Sequence, residues 1–135
     1  MEAVRTSVDY YVSGQPGSEL ARQVLWQIHP WSAMQRCKEI YDRSDDIHAR
    51  RSAIELLRVV ADARAVFWIE DFLNDPDEDI QNWGAGIVDQ LLFSHLVDPE
   101  ELSELLAKMA AHPNERVRRM HELIEDFLKS DAELV

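Results

Sequence analysis

A chain of 135 residues with 46% apolar and 30% charged side chains is long enough for one domain with a substantial core. Four Gly and five Pro are too few for a turn-rich all-β fold, so an all-α fold is expected. A net charge of −12 argues against coating nucleic acid. No apolar run approaches the roughly 18 residues that a membrane span needs.

Residues 1–17 predict a short N-terminal helix or arm, distinct from a repeat domain over 18–135. Val4, Val8, Tyr11 and Val12 fall at helical spacing before Ser13, Gly14, Gln15, Pro16 and Gly17 interrupt them. Ser18 is placed to cap a helix with Leu20, Val24, Leu25 and Ile28 on its apolar face, ended by Pro30. Trp31 to Tyr41 continues as a second helix carrying Met34, Cys37, Ile40 and Tyr41. After the charged turn Asp42 to Asp46, Ala49, Ala53, Leu56, Leu57 and Val60 mark a third. Beyond Asp62 comes a helix with Val66, Phe67, Ile69, Phe72 and Leu73. Trp26 and Trp68 read as core.

The turn Asn74 to Asp77 cannot easily continue a helix, and its Asx residues are good caps. It feeds a helix whose Ile80, Trp83, Gly84, Ile87, Val88 and Leu91 share one face. Asp98 followed by Pro99 predicts an N-cap with Pro in the first turn, opening a helix with Leu102, Leu105, Leu106, Met109 and Ala110. His112, Pro113 and Asn114 form the next turn. The last helix carries Val117, Met120, Ile124, Phe127 and Leu128. That makes about seven helices and no strand, with no linker long enough to separate two domains.

Three of these helices share a register. Ala49, Ile80 and Val117 align, with offsets of 31 and 37 residues. Ala53, Gly84 and His121 follow four residues on, and Leu56, Ile87 and Ile124 seven on. Such spacing is that of stacked helical pairs, which bury together a face that one pair cannot bury alone. The segment FLNDPDEDIQNWGAGIVDQL, from Phe72 to Leu91, resembles the turn pattern of the HEAT repeat family. Val117–Arg118 is similar to that family's aliphatic–Arg step, and Ala49–Arg50 matches it loosely. The resemblance spans Trp31 to Leu128. Gln81 stands where the family has Arg, His121 where it has a small residue, and Ser44 and His112 where a turn Asp is usual.

The resemblance implies a right-handed α-α superhelix of about three helix pairs preceded by N-terminal helices. It also implies a structural bond from Asp75 to Arg50 or Arg118 of an adjacent repeat, and a concave surface lined by the second helices. Gly84, with Ala85 and Gly86, lets neighbouring backbones approach closely. A helical Gly otherwise costs about 1 kcal/mol against Ala.

Residues 1–40 carry four acids and four bases, so the whole charge excess lies beyond them. From Ala65 to Ala107, 43 residues, there are 11 acids and no Lys or Arg. That stretch is poor material for holding phosphates and suits a cationic partner.

Catalytic and metal patterns fail in detail. Asp75, Asp77 and Asp79 have calcium-loop spacing, but Ile80 and Gly86 stand where Gly and a bidentate Glu are required. Gly84 and Gly86 form a G-x-G inside a helix, without the third Gly of a dinucleotide site. The five His form no metal motif, and Cys37 has no second thiol nearby. Cys37 lies on an apolar helix face, as a core thiol does. No metal, cofactor or catalytic residue is expected.

One cysteine allows no internal disulfide, and the N-terminus carries Glu2 and Asp9 without an apolar leader. A cytoplasmic location is expected. The expected function is binding of a protein with a basic surface, with no nucleic acid and no membrane. Asp77, Asp79, Asn82, Trp83 and Asp89 form the expected contact surface, an aromatic anchor among acids. Small acidic proteins of this kind resemble immunity proteins that mask a basic toxin. The alternatives are an adaptor subunit in a larger assembly, or a cofactor-handling protein resembling the HEAT-like bilin lyases.

Overall fold

The computed structural model describes residues 2–133, with the side chains of residues 2, 27 and 28 excepted; Ile28 therefore lies outside the described side chains. Among the described residues the chain forms eight α-helices and no strand. It divides into two compact units, Met1–Ala65 and Val66–Val135.

The first unit holds α1 (Glu2–Val12), α2 (Ser18–Ile28), α3 (Trp31–Arg43) and α4 (Ile47–Val60), followed by a 3-10 turn at Ala63–Ala65. Residues 1–17 thus contribute a helix, and α1 packs on α2, α3 and α4. Its Val8 joins Leu25, Ala33, Met34, Cys37, Ala53, Ile54 and Leu57 among the buried residues. Asp46 caps α4 by accepting from the His48 N–H at 2.9 Å. The α2 N-cap is Gly17 rather than Ser18. Its φ of 88° is a backbone conformation that glycine adopts without steric cost.

Two expectations fail on α2. Leu20 and Val24 are exposed, and Trp26 is 47% exposed rather than core. Leu25 is the buried residue, and one helical step is about 100°. A side chain one residue either way therefore leaves the covered face.

Polar bonds join the elements of this unit. Arg36 Nε donates to Asp9 at 2.7 Å. His29 closes α2 with a φ of 41°, and its Nδ1 donates to the Val60 carbonyl at the end of α4, 3.0 Å away. Tyr11 donates to Glu55 Oε1 at 3.0 Å. Burial first, and the Glu55 carboxylate second, hold the Tyr11 hydroxyl well above its ordinary ionisation range. The folded state thus keeps this proton longer than the unfolded chain. Its stabilisation is complete below the ordinary tyrosine value of about 10 and is lost as pH rises beyond it. Tyr11→Phe is expected to cost about 1 kcal/mol near neutrality. The gap between the two proteins should narrow above about pH 10. Urea midpoints at neutral and alkaline pH check both halves of this expectation.

The second unit holds α5 (Val66–Leu73), α6 (Glu78–Phe93), a 3-10 turn at Pro99–Leu102, α7 (Ser103–Ala110) and α8 (Glu115–Glu133). The contacts run α5 on α6, α7 on α8, α6 on α8 and α5 on α7, so two helix pairs lie side by side. Ile69, Phe72, Leu73, Ile80, Ile87, Val88, Leu91, Leu102, Met109, Val117 and Ile124 are buried. The Asp98–Pro99 start is present, with Glu101 Oε2 accepting from the Asp98 N–H at 3.4 Å. Its first turn is 3-10 rather than α. At Gly84 α5 and α6 approach closely: a Cβ there would lie 2.7 Å from the Phe72 Cβ.

Phe67 departs from its predicted place. It is 88% exposed, while Ile69, Phe72 and Leu73 are buried. Two residues separate Phe67 from Ile69, which is about 200° of helical rotation, so it points away from the covered stripe.

Candidate functional site

The turn before α6 is built from backbone-seeking carboxylates. Asp75 Oδ1 accepts from the Asp77 N–H at 2.9 Å, and Asp77 Oδ2 accepts from the Ile80 N–H at 3.0 Å, capping α6. Gln81 Nε2 reaches back to the Asp75 carbonyl at 2.6 Å. Asn114, in the next inter-helix turn, then donates its amide to Gln81 Oε1 at 3.0 Å and to the Glu78 carbonyl at 3.2 Å. His112 completes the ladder through Nε2 and the Leu73 carbonyl, 2.7 Å apart, while its Nδ1 accepts from the Asn114 N–H at 3.0 Å. A carbonyl only accepts and an amide N–H only donates. The ring is therefore neutral with its proton on Nε2.

Asp75, His112 and Asn114 are the polar residues buried among the described ones. Each has bonds inside the second unit, as burial of a polar group demands. Gln81 and His112 are two positions where the chain departs from the HEAT pattern, and here they bond turn to turn. Of the expected partners of Asp75, Arg118 donates Nη1 to the His112 carbonyl at 2.7 Å. Arg50 belongs to the first unit, where its Nε donates to the Tyr41 carbonyl at 3.0 Å.

The expected contact residues are spread along α6. Asp77 is its cap and Asp79 pairs with Arg116 at 3.0 Å. Asn82, Trp83 and Asp89 are half-buried. Twelve residues of helix place Asp77 and Asp89 about 18 Å apart along the axis.

A different concavity gathers more charge. Between α5 and the start of α7 lies a groove of ≈ 460 Å³ lined by Val66, Phe67, Glu70, Glu100, Glu101 and Glu104, with Ser103, Leu105 and Lys108. Lys108 pairs with Glu70 across it. Among the described residues, the side chains of Glu100 and Glu104 are exposed and make no hydrogen bond or ion pair. The sequence reading missed this site because it placed Phe67 on the buried face. The angular position of Phe67 against Ile69 and Phe72 was the available signal.

Cys37 is fully buried, and burial pushes its thiol well above the ordinary range. Such a group carries little thiolate, the form that attacks electrophiles. Among the described residues no group of three or more His, Cys, Asp or Glu is arranged to hold a metal ion. No helix there is long and apolar enough to cross a membrane. No protein-family model, curated protein or solved structure matches the chain.

Proposed function

We propose that this chain is a non-catalytic, acidic module that binds a protein with a basic surface in the cytoplasm. Its three helix pairs, α3/α4, α5/α6 and α7/α8, belong in this reading to a right-handed HEAT-like superhelix preceded by α1 and α2. The repeat offsets of 31 and 37 residues and the side-by-side pairs of the second unit support that architecture.

One observation carries the functional reading: 43 consecutive residues without a cation, folded so that four glutamates line one groove. A field of one sign raises encounter rates with an oppositely charged partner and discriminates against others. An immunity-type role, masking a basic toxin, is the sharpest form of this reading. The test is co-expression with the product of the neighbouring reading frame. A complex that forms at low salt and dissociates as salt rises is expected. Absence of any complex at low salt would end the immunity form.

A second reading, an adaptor subunit, has its own support in the exposed apolar side chains Leu20, Val24 and Trp26 of α2, and in Phe93, Leu96 and Leu123. An assembly held through these would survive high salt, because apolar contacts are not screened.

A further inference from the structure

We infer that the groove between α5 and α7 is the docking site for an arginine-bearing basic segment of the partner, with Phe67 as its aromatic platform. This rests on the acidic-module reading and gives it an address.

Folding does not call for Phe at position 67. At 88% exposure the ring contributes little to the core, whereas burying a Phe contributes roughly 1.5–3 kcal/mol. A single exposed apolar side chain is ordinary, but this one lines a concavity together with four carboxylates. The groove already holds one cation, the Lys108 ammonium on Glu70. Glu101 is turned back toward the Asp98 N–H. Glu100 and Glu104 are left without a counter-charge among the described residues.

An arginine suits these parts. Its planar guanidinium stacks on an aromatic face and gives two parallel donors to a carboxylate. A lysine supplies only a compact point charge. A second copy of this chain fits poorly, because each copy carries a net charge of −12.

The experiment uses the full chain and two labelled helical peptides, one with arginines at i, i+4 spacing in an alanine background and one with lysines at the same positions. Binding is followed by fluorescence anisotropy at low salt. Phe67→Ala is expected to weaken the arginine peptide severalfold and to leave the thermal midpoint unchanged. Glu100→Gln/Glu104→Gln is expected to weaken it tenfold or more. The control Glu122→Gln/Asp126→Asn removes the same charge from exposed positions on α8 and should change affinity less than threefold. The arginine peptide should bind more tightly than the lysine peptide.

Equal losses from the groove pair and the control pair would overturn the groove while leaving a general acidic field standing. So would a Phe67→Ala chain that binds as wild type. No binding of the arginine peptide overturns the groove, and the co-expression test still decides the broader reading. Self-association abolished by Phe67→Ala, seen in sedimentation, would give the site to a second copy and overturn the proposal.

Discussion

Phe72→Ala is expected to destabilise the second unit by about 3–5 kcal/mol, the largest single-residue effect anticipated here. Phe72 is fully buried on α5, and its Cβ lies tight against Gly84 of α6. Truncation removes the ring's transfer free energy and leaves a cavity. Two backbones already in close approach have little room to collapse into it. Phe72→Leu keeps most of the volume and should cost under about 1.5 kcal/mol. The measurement is urea denaturation followed by tryptophan fluorescence. Trp68 and Trp83 report on the second unit, and Trp26 and Trp31 on the first. A loss below about 1 kcal/mol for the alanine variant would mean that the site repacks, contrary to this account.

His112→Ala comes second, at about 2–4 kcal/mol. The ring serves two backbone groups that have no other use for their hydrogen-bonding capacity: the Leu73 carbonyl closing α5 and the Asn114 N–H opening α8. Deleting the ring strands both in a buried place, and each stranded group costs about 1–3 kcal/mol. His112→Gln can still donate to the Leu73 carbonyl, so it should recover about half of the loss. Amide exchange at Asn114 separates the two contributions: it should accelerate in both variants, because neither keeps the Nδ1 acceptor. Protection of the Asn114 amide unchanged in His112→Ala would show that the ring is not its acceptor.

Features decided within one helical turn were legible in the sequence. The Asp77 cap and the Asp98–Pro99 start depend on groups three residues apart, and both are present. Helix periodicity identified the buried stripe of α6, from Ile80 to Leu91, because a 3.6-residue repeat needs no knowledge of a partner. The close approach at Gly84 was also expected, since a helical Gly is otherwise unfavourable.

Two kinds of fact waited for the tertiary structure. One is coverage. Trp26, Leu20 and Val24 are apolar and were expected on covered helix faces, and all three are exposed. Whether an apolar side chain is buried depends on a neighbouring helix lying over that particular side, which no single helix determines. The other is long-range polar pairing. Gln81, His112 and Asn114 looked like departures from a repeat pattern, or like simple turn residues. Only folding sets Asn114 against Gln81, 33 residues away, and His112 against Leu73, 39 residues away. The groove has the same origin: its carboxylates come from α5, from a turn some 30 residues later and from the start of α7, which only the packing of one helix pair on the next brings together. From the sequence by itself came the helices, the cap of α6 and the uneven charge, all set by neighbours along the chain. Which faces are covered and which acids share a groove depended on contacts between distant segments.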